Sequence, residues 1–253
     1  MQTLQQLQSG ELKGIKRLTL SCGLTAFPNE IFTLAESLEV LDLSHNQLST
    51  LPDDFARLKR LKILFLSNNL FAIFPEVLSQ CESLSMIGFK SNQITHISEK
   101  SLPPTTRWLI LTNNRLTTLP KSIGNCLPMQ KLALAGNRLQ SLPEELSNCK
   151  NLGLLRISAN QLQALPSWLL VMPKLSWLAF SGNPFSKKTT NAVPLQAVDW
   201  HQLSLTNQLG EGASGVITKA IWQQENGTIK EVAVKIFKGT VTSDGYPEAP
   251  SPN

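Results

Sequence analysis

The chain has 253 residues, of which 42% are hydrophobic and 16% charged, and its formal net charge is +5. That apolar fraction can bury a sizeable core, which excludes a wholly disordered polypeptide. Lys and Arg are scattered, with only RLKRLK (57–62) dense, so no nucleic-acid footprint is expected.

The N-terminal stretch MQTLQQLQSGELKGIKR has neither a continuous apolar segment nor a small-residue cleavage site, so no secretory signal is expected. No run approaches the ~18 apolar residues that would span a bilayer, and no membrane association is expected. A cytoplasmic setting follows as the default, in which the four cysteines stay reduced. Residues 1–17 are expected to form a capping helix, with Leu4 and Leu7 covering the first layer of what comes next.

From there a repeat governs the chain. Asn46, Asn69, Asn92, Asn114, Asn137, Asn160 and Asn183 are separated by 23, 23, 22, 23, 23 and 23 residues. A period of this length predicts a solenoid. Around each Asn runs the frame apolar-x-apolar-x-x-Asn-x-apolar, as in LDLSHNQL (41–48), LILTNNRL (109–116) and LALAGNRL (132–139). Leu41 and Leu43 alternate with an outward residue, the mark of a short strand buried on one face. An Asn amide at the following turn can both donate to and accept from backbone groups that would otherwise be buried unpaired. Pro52, Pro75, Pro120, Pro143 and Pro166 follow an apolar residue and oppose continuation as strand, which sends the chain around the outer side.

This frame resembles the leucine-rich repeat. The resemblance implies a curved parallel sheet with an irregular or helical convex side, an α/β solenoid over residues 1–185. An earlier unit, LTLSCGLTAFP (18–28), places Cys22 where Asn is expected and makes eight repeats, the first degenerate. In the fourth, SEKSLPPTTRW (98–108) replaces the Leu-Pro pair, so a regular convex segment is not expected there.

Cys81, Cys126 and Cys149 each lie twelve residues after their Asn, in a slot held elsewhere by Leu58 and Met172. They read as small core hydrophobes, and a disulfide between Cys126 and Cys149 is the less favoured alternative. His45, His96 and His201 show no metal-ligand spacing and read as surface residues. On the strands, the outward slots hold Val40, Ile63, Phe65, Met86, Trp108, Ile110, Leu154 and Trp177. Aromatic and Met side chains in such slots are the composition of a protein-binding surface on the concave face. The alternatives are that the chain's own C-terminal segment covers them, or that they are too scattered to form one patch.

After Phe185 the frame stops, and 186–199 is expected to be a polar linker. Residues 209–239, LGEGASGVITKAIWQQENGTIKEVAVKIFKG, then carry Gly210, Gly212 and Gly215 in G-x-G-x-x-G spacing. The spacing alone is a weak signal, and the β-branched GVITKAIW argues against the helix of a dinucleotide fold. Asn226-Gly227 signals a hairpin, and EVAVKIFK reads as a further strand.

Glycine loop, strand, turn and a strand bearing Val-Ala-Val-Lys resemble the start of a protein kinase, with Ile217 and Val234 as mild departures. The whole is similar to a leucine-rich-repeat protein kinase of the soluble bacterial type. That resemblance implies a short, β-rich partial kinase N-lobe over 200–253. In it the glycines admit phosphates, Lys235 contacts the α- and β-phosphates, and Leu209, Ile217 and Ala233 face adenine. ATP is the cofactor so implied, weakly held or absent in this chain, and Mg²⁺ belongs only to a complete kinase. The catalytic-loop and metal-binding motifs do not follow. Glu248, between Pro247 and Pro250, is not assigned the ion-pair role, and Ser243-Asp244-Gly245 reads as a turn. No catalytic or metal residue is therefore expected, and the chain as given is expected not to phosphorylate. Two readings remain: a protein-binding module joined to a kinase, or an interaction scaffold with a vestigial kinase remnant.

Overall fold

The computed structural model describes residues 2–189, 197–212 and 215–237. Two units are distinguished, Met1–Ser186 and Lys187–Asn253. Residues 213 and 214 of the glycine loop, and Ser243, Asp244, Gly245 and Glu248, lie outside the described residues.

The first unit is a stack of eight three-residue strands in one parallel sheet, in chain order. They are β1 (Arg17–Thr19), β2 (Val40–Asp42), β3 (Ile63–Phe65), β4 (Met86–Gly88), β5 (Trp108–Ile110), β6 (Lys131–Ala133), β7 (Leu154–Arg156) and β8 (Trp177–Ala179). From β1 to β7 each strand buries its central residue, as Leu41, Leu64 and Leu132 show at 0% exposure. In the last strand Leu178 is only partly buried, and the flanking positions alternate to the other face, where Gly88 and Ala133 are themselves covered. Register follows the period directly: Leu18, Leu41, Leu64, Ile87, Leu109, Leu132, Leu155 and Leu178 lie side by side across the sheet. The outer side is made of short 3-10 turns, such as Glu76–Gln80, Lys121–Asn125 and Glu144–Asn148, most of them starting after the repeat proline. Proline fits there because its fixed φ suits the entry to a turn and no donor is lost.

The asparagines join consecutive layers. Asn137 is 7% exposed, and its Nδ2 donates to the carbonyls of Leu134 (2.9 Å) in its own layer and Leu111 (2.9 Å) in the layer before. Its Oδ1 accepts from the N–H of Leu116, also in the layer before, at 3.0 Å. The same pattern recurs at Asn69, Asn92, Asn114, Asn160 and Asn183. In the degenerate first layer Cys22 is exposed, and Asn46 reaches back to accept from both Cys22 and Leu24.

A feature absent from the frame accompanies the ladder. The residue preceding each Asn has positive φ: His45, Asn68, Ser91, Asn113, Gly136, Ala159 and Gly182. The left-handed turn aims the amide inward, and only two of the seven are glycines, so the ladder holds five ordinary residues in a conformation that disfavours a Cβ.

One detail departs from the sequence expectation. The cap helix α1 covers only Leu4–Gln8, not 1–17. It starts with a capping box in which the Thr3 hydroxyl accepts from the Gln6 N–H and the Gln6 side chain from the Thr3 N–H. It ends because Gly10 and Gly14 take positive φ. Leu7 is buried and Leu4 partly so, as expected, joined by Leu12. The Gln2 amide completes the cap, donating to the Arg17 carbonyl and accepting from the Thr19 N–H, which pairs the open edge of β1.

In the fourth layer no 3-10 turn forms, and two core slots hold the buried polar residues Ser101 and Thr106. The Thr106 hydroxyl donates to the Pro103 carbonyl at 2.6 Å. Glu99 accepts from the N–H groups of Lys121 and Ser122 at 2.9 and 2.8 Å, capping the next layer's turn. Those backbone bonds, that from Ser122 first, hold its carboxyl below the usual range.

Cys81, Cys126 and Cys149 are buried free thiols. Burial pushes them from 9.0 up to about 11, 12 and 11, with Cys149 adding to the shift at Cys126. Cys149 Sγ donates to the Ile123 carbonyl at 3.4 Å and Cys126 Sγ to that of Pro103 at 3.5 Å.

The second unit is a three-stranded antiparallel sheet: β9 (Leu203–Gly212), β10 (Gly215–Gln223) and β11 (Ile229–Phe237), with β10 central. Asn226 and Gly227 lie in the β10–β11 turn, where Gly227 takes φ 81° and Asn226 Oδ1 accepts from the Thr228 N–H.

Removing one rung should destabilise several layers at once. Asn137→Ala leaves the Leu116 N–H buried without a partner and removes one of the two donors to the Leu111 and Leu134 carbonyls, which keep Asn114 and Asn160. A loss of about 2 kcal/mol is therefore expected in urea unfolding; a loss within error of zero would refute the ladder. The thiols give a pH signature. Their folded pKa values are raised, so their contribution is whole below pH 9 and is lost as pH rises toward 11 to 12. The slope is up to about 1.4 kcal/mol per unit for each thiol. Urea midpoints at pH 8 and pH 10.5 should fall further for the native chain than for a Cys81→Ala, Cys126→Ala, Cys149→Ala variant.

Candidate functional site

With the leucines committed to the interior, the outward residues of β2 to β8 line up by register. One row runs Val40, Ile63, Met86, Trp108, Lys131, Leu154 and Trp177. The second runs Asp42, Phe65, Gly88, Ile110, Ala133, Arg156 and Ala179. All eight sequence-predicted concave residues therefore lie on one surface. Six of them share a single row, interrupted only by Lys131, while Phe65 and Ile110 flank it. Trp177 is 54% exposed, and the other seven are half-buried against their neighbours.

Neighbouring side chains order this surface. The Lys131 ammonium lies 3.6 Å from the centroid of the Trp108 ring, a cation–π contact that orients both groups. The Phe65 ring leans over Gly88, where an added Cβ would meet it at 2.7 Å. Arg107 Nη2 donates to Gln130 Oε1 at 3.2 Å. At the rim of β1 to β3, Glu39 pairs with Lys62 at 2.7 Å and Lys16 at 3.8 Å. The hydrogen bond from Lys62, above all, lowers the Glu39 pKa.

Two hollows follow the rim of the sheet. One of about 140 Å³ lies among Met86, Arg107, Trp108 and Gln130. A larger one, about 480 Å³, lies among Lys131, Leu154, Lys174 and Trp177. Gly153 also lines it, and a Cβ there would lie 3.5 Å from the Lys174 carbonyl and 3.8 Å from that of Gln130. Sequence reasoning missed Lys131, Gly88 and the rim residues because it sought apolar residues only; reading every residue in the same slots would have found them. It also missed a groove of about 480 Å³ off the sheet, lined by Leu51, Leu70, Ile73, Phe74 and Val77.

In the second unit, β10 places Ile217 opposite Lys235 of β11 and Gly210 of β9, and Lys219 opposite Ala233. Opposed residues of antiparallel strands project to the same face, so Gly210, Ile217, Ala233 and Lys235 share one. Leu209, 59% exposed, lies where the β9–β10 register shifts. Gly212 pairs with Gly215 at the hairpin end. Lys219 forms an ion pair with Glu231 at 2.7 Å. A separate hollow of about 560 Å³, lined by Val198, Gln202, Trp222 and Asn226, lies toward the opposite end of β10. Among the described residues no group of three His, Cys, Asp or Glu could hold a metal, and no helix is long and apolar enough to cross a membrane.

Residues 13–71 match a family model described as leucine rich repeat, and residues 105–126 match a second of the same description. The chain is similar to a leucine-rich-repeat protein of Leptospira interrogans, with 29% identity and a TM-score of 0.56 over 70% of this chain and 51% of that one. It is also similar to an internalin of Listeria monocytogenes, with 20% identity and a TM-score of 0.56 over 69% and 50% of the two chains; at that identity the likeness is one of fold. The chain spans about half the length of these structures. No curated protein matches it significantly. The first unit thus has the parallel-sheet solenoid fold of leucine-rich-repeat proteins.

Proposed function

We propose that the solenoid is a protein-recognition module whose contact surface is the concave sheet. The observation that carries this reading is the in-register row from Val40 to Trp177, in which aromatic and aliphatic side chains stand outside a core already filled by the leucines. Trp, Met and Arg at the centre of a polar-rimmed surface are the composition of binding hot spots. The surface stands on backbone locked by the asparagine ladder, so little ordering entropy is lost on binding.

Site-directed photocrosslinking tests this. A benzoyl-phenylalanine in place of Trp108 or Trp177 should yield a defined protein adduct in the host cell, and one in place of the exposed outer residue Leu127 should not. Adducts from Leu127 alone would refute the concave reading.

For the second unit we infer a nucleotide-binding role, favoured by the common face of Gly210, Ile217, Ala233 and Lys235 beside the paired Gly212 and Gly215. In this reading the glycines admit the phosphates of ATP, Lys235 balances their charge, and Leu209, Ile217 and Ala233 contact the base. No residue of the chain is assigned a catalytic role, and Mg²⁺ would arrive with the nucleotide. The competing reading is a scaffold in which the sheet has no ligand. Calorimetry with Mg-ATP separates them: weak binding abolished by Lys235→Ala supports the nucleotide site, whereas no heat with the native chain leaves the scaffold.

A further inference from the structure

The charge on the concave face is segregated. In the strand segments of β3 to β8, from the residue before each strand to the residue before each Asn, there is no Asp or Glu. The same segments carry Lys62, Lys90, Arg107, Lys131 and Arg156. Acidic residues of these layers lie elsewhere: Glu76, Glu144 and Glu145 fall in the outer 3-10 turns, and Glu99 caps one. The concave acids are confined to β2 and its flank, where both are engaged: Glu39 with two lysines, and Asp42 as acceptor of the Ser44 N–H at 3.0 Å.

From this complementarity we infer that the occupant of the concave face is an extended, acidic polypeptide segment carrying apolar side chains, seated across β3 to β8. The inference rests on the concave-face reading above and names the chemistry of its partner. Apolar side chains of the segment meet Ile63, Met86, Trp108, Leu154 and Trp177, while its carboxylates meet the basic groups between and beside them. From β3 to β8 the strands span about 24 Å at ~4.8 Å spacing, the length of about seven extended residues. Nucleic acid suits the surface less well. One face of the Trp108 ring is covered by the Lys131 ammonium, and the aliphatic Ile63, Met86 and Leu154 offer bases no stacking platform.

The test uses the full chain and fluorescence anisotropy with three labelled probes. These are a peptide alternating Glu with Leu and Phe, the same peptide with Lys for Glu, and a single-stranded DNA of similar length. The acidic peptide should bind at least tenfold more tightly than either control. Arg107→Glu with Lys131→Glu should weaken it at least tenfold, the milder Arg107→Gln with Lys131→Gln should weaken it less, and Trp177→Ala should weaken both peptides. Equal binding of the two peptides, still lost on Trp177→Ala, would overturn the acidic preference and leave the concave reading standing. DNA binding as tight as that of the acidic peptide would overturn the inference in favour of nucleic acid. Acidic-peptide binding indifferent to the Arg107 and Lys131 variants would place the site elsewhere on a basic protein and overturn it too. If no probe binds, the inference fails, while the concave reading is judged by the crosslinks from Trp108 and Trp177.

Discussion

Everything in the solenoid depends on one buried hydrogen-bonding side chain in each layer after the first. A strand of three residues leaves the sheet almost as soon as it joins it, and the turn that follows runs through the interior, where backbone groups cannot reach water. The Asn amide is short, uncharged and able to donate and accept at once. In each rung it ties its own turn to the layer before, as Asn137 does with Leu134, Leu111 and Leu116. The requirement explains why the period scarcely varies: a layer of different length must still bring its Asn to the same place. The fourth layer shows the tolerance, since it omits an outer turn and one residue yet delivers Asn114 to the Phe89 carbonyl at 2.8 Å.

A consequence is a division of labour between the two faces of each strand. The central residue and those after the strand are spent on the core, and the asparagines fix the direction in which the others point. Residues such as Trp108, Lys131 and Arg156 therefore stand outside the leucine core, on the other face of the sheet. Where the concave surface is shaped, it is shaped by its own neighbours: Gly88 receives the Phe65 ring, and Trp108 and Lys131 hold one another. The cysteines show the opposite case. Their slot is interior, their thiols donate to carbonyls of the turns, and burial keeps them protonated and so poor nucleophiles.

The second unit follows a different economy. Among the hydrophobic residues of its three strands Ala220 is fully buried, while Leu205, Leu209, Ile217, Ile221, Ile229 and Ile236 are exposed. A sheet of this kind is held by its ladders and by cross-strand pairs such as Lys219 with Glu231. Its order, with β10 central, is the simplest that two successive hairpins can make.

Sequence alone determined the solenoid, the parallel sheet, the inward leucines, the asparagine ladder and the interior place of Cys81, Cys126 and Cys149. Each is a periodic property, and a period converts directly into a shared face. The candidate concave residues were legible for the same reason, and so was the irregular fourth layer. What only the tertiary structure decided were relations between residues the period does not link. The left-handed turn before each Asn was hidden because His45, Ser91 and Ala159 carry no common signature. The short cap was hidden because Gly10 and Gly14 end a helix that the apolar spacing of Leu4 and Leu7 suggests continuing. Gln2 on the edge of β1, Glu99 on the turn of the next layer and Lys131 on Trp108 are contacts that a side chain makes outside its own layer. Their chemistry is set by which neighbours the stacked backbone brings within reach, and that distance exists only once the layers have closed on one another.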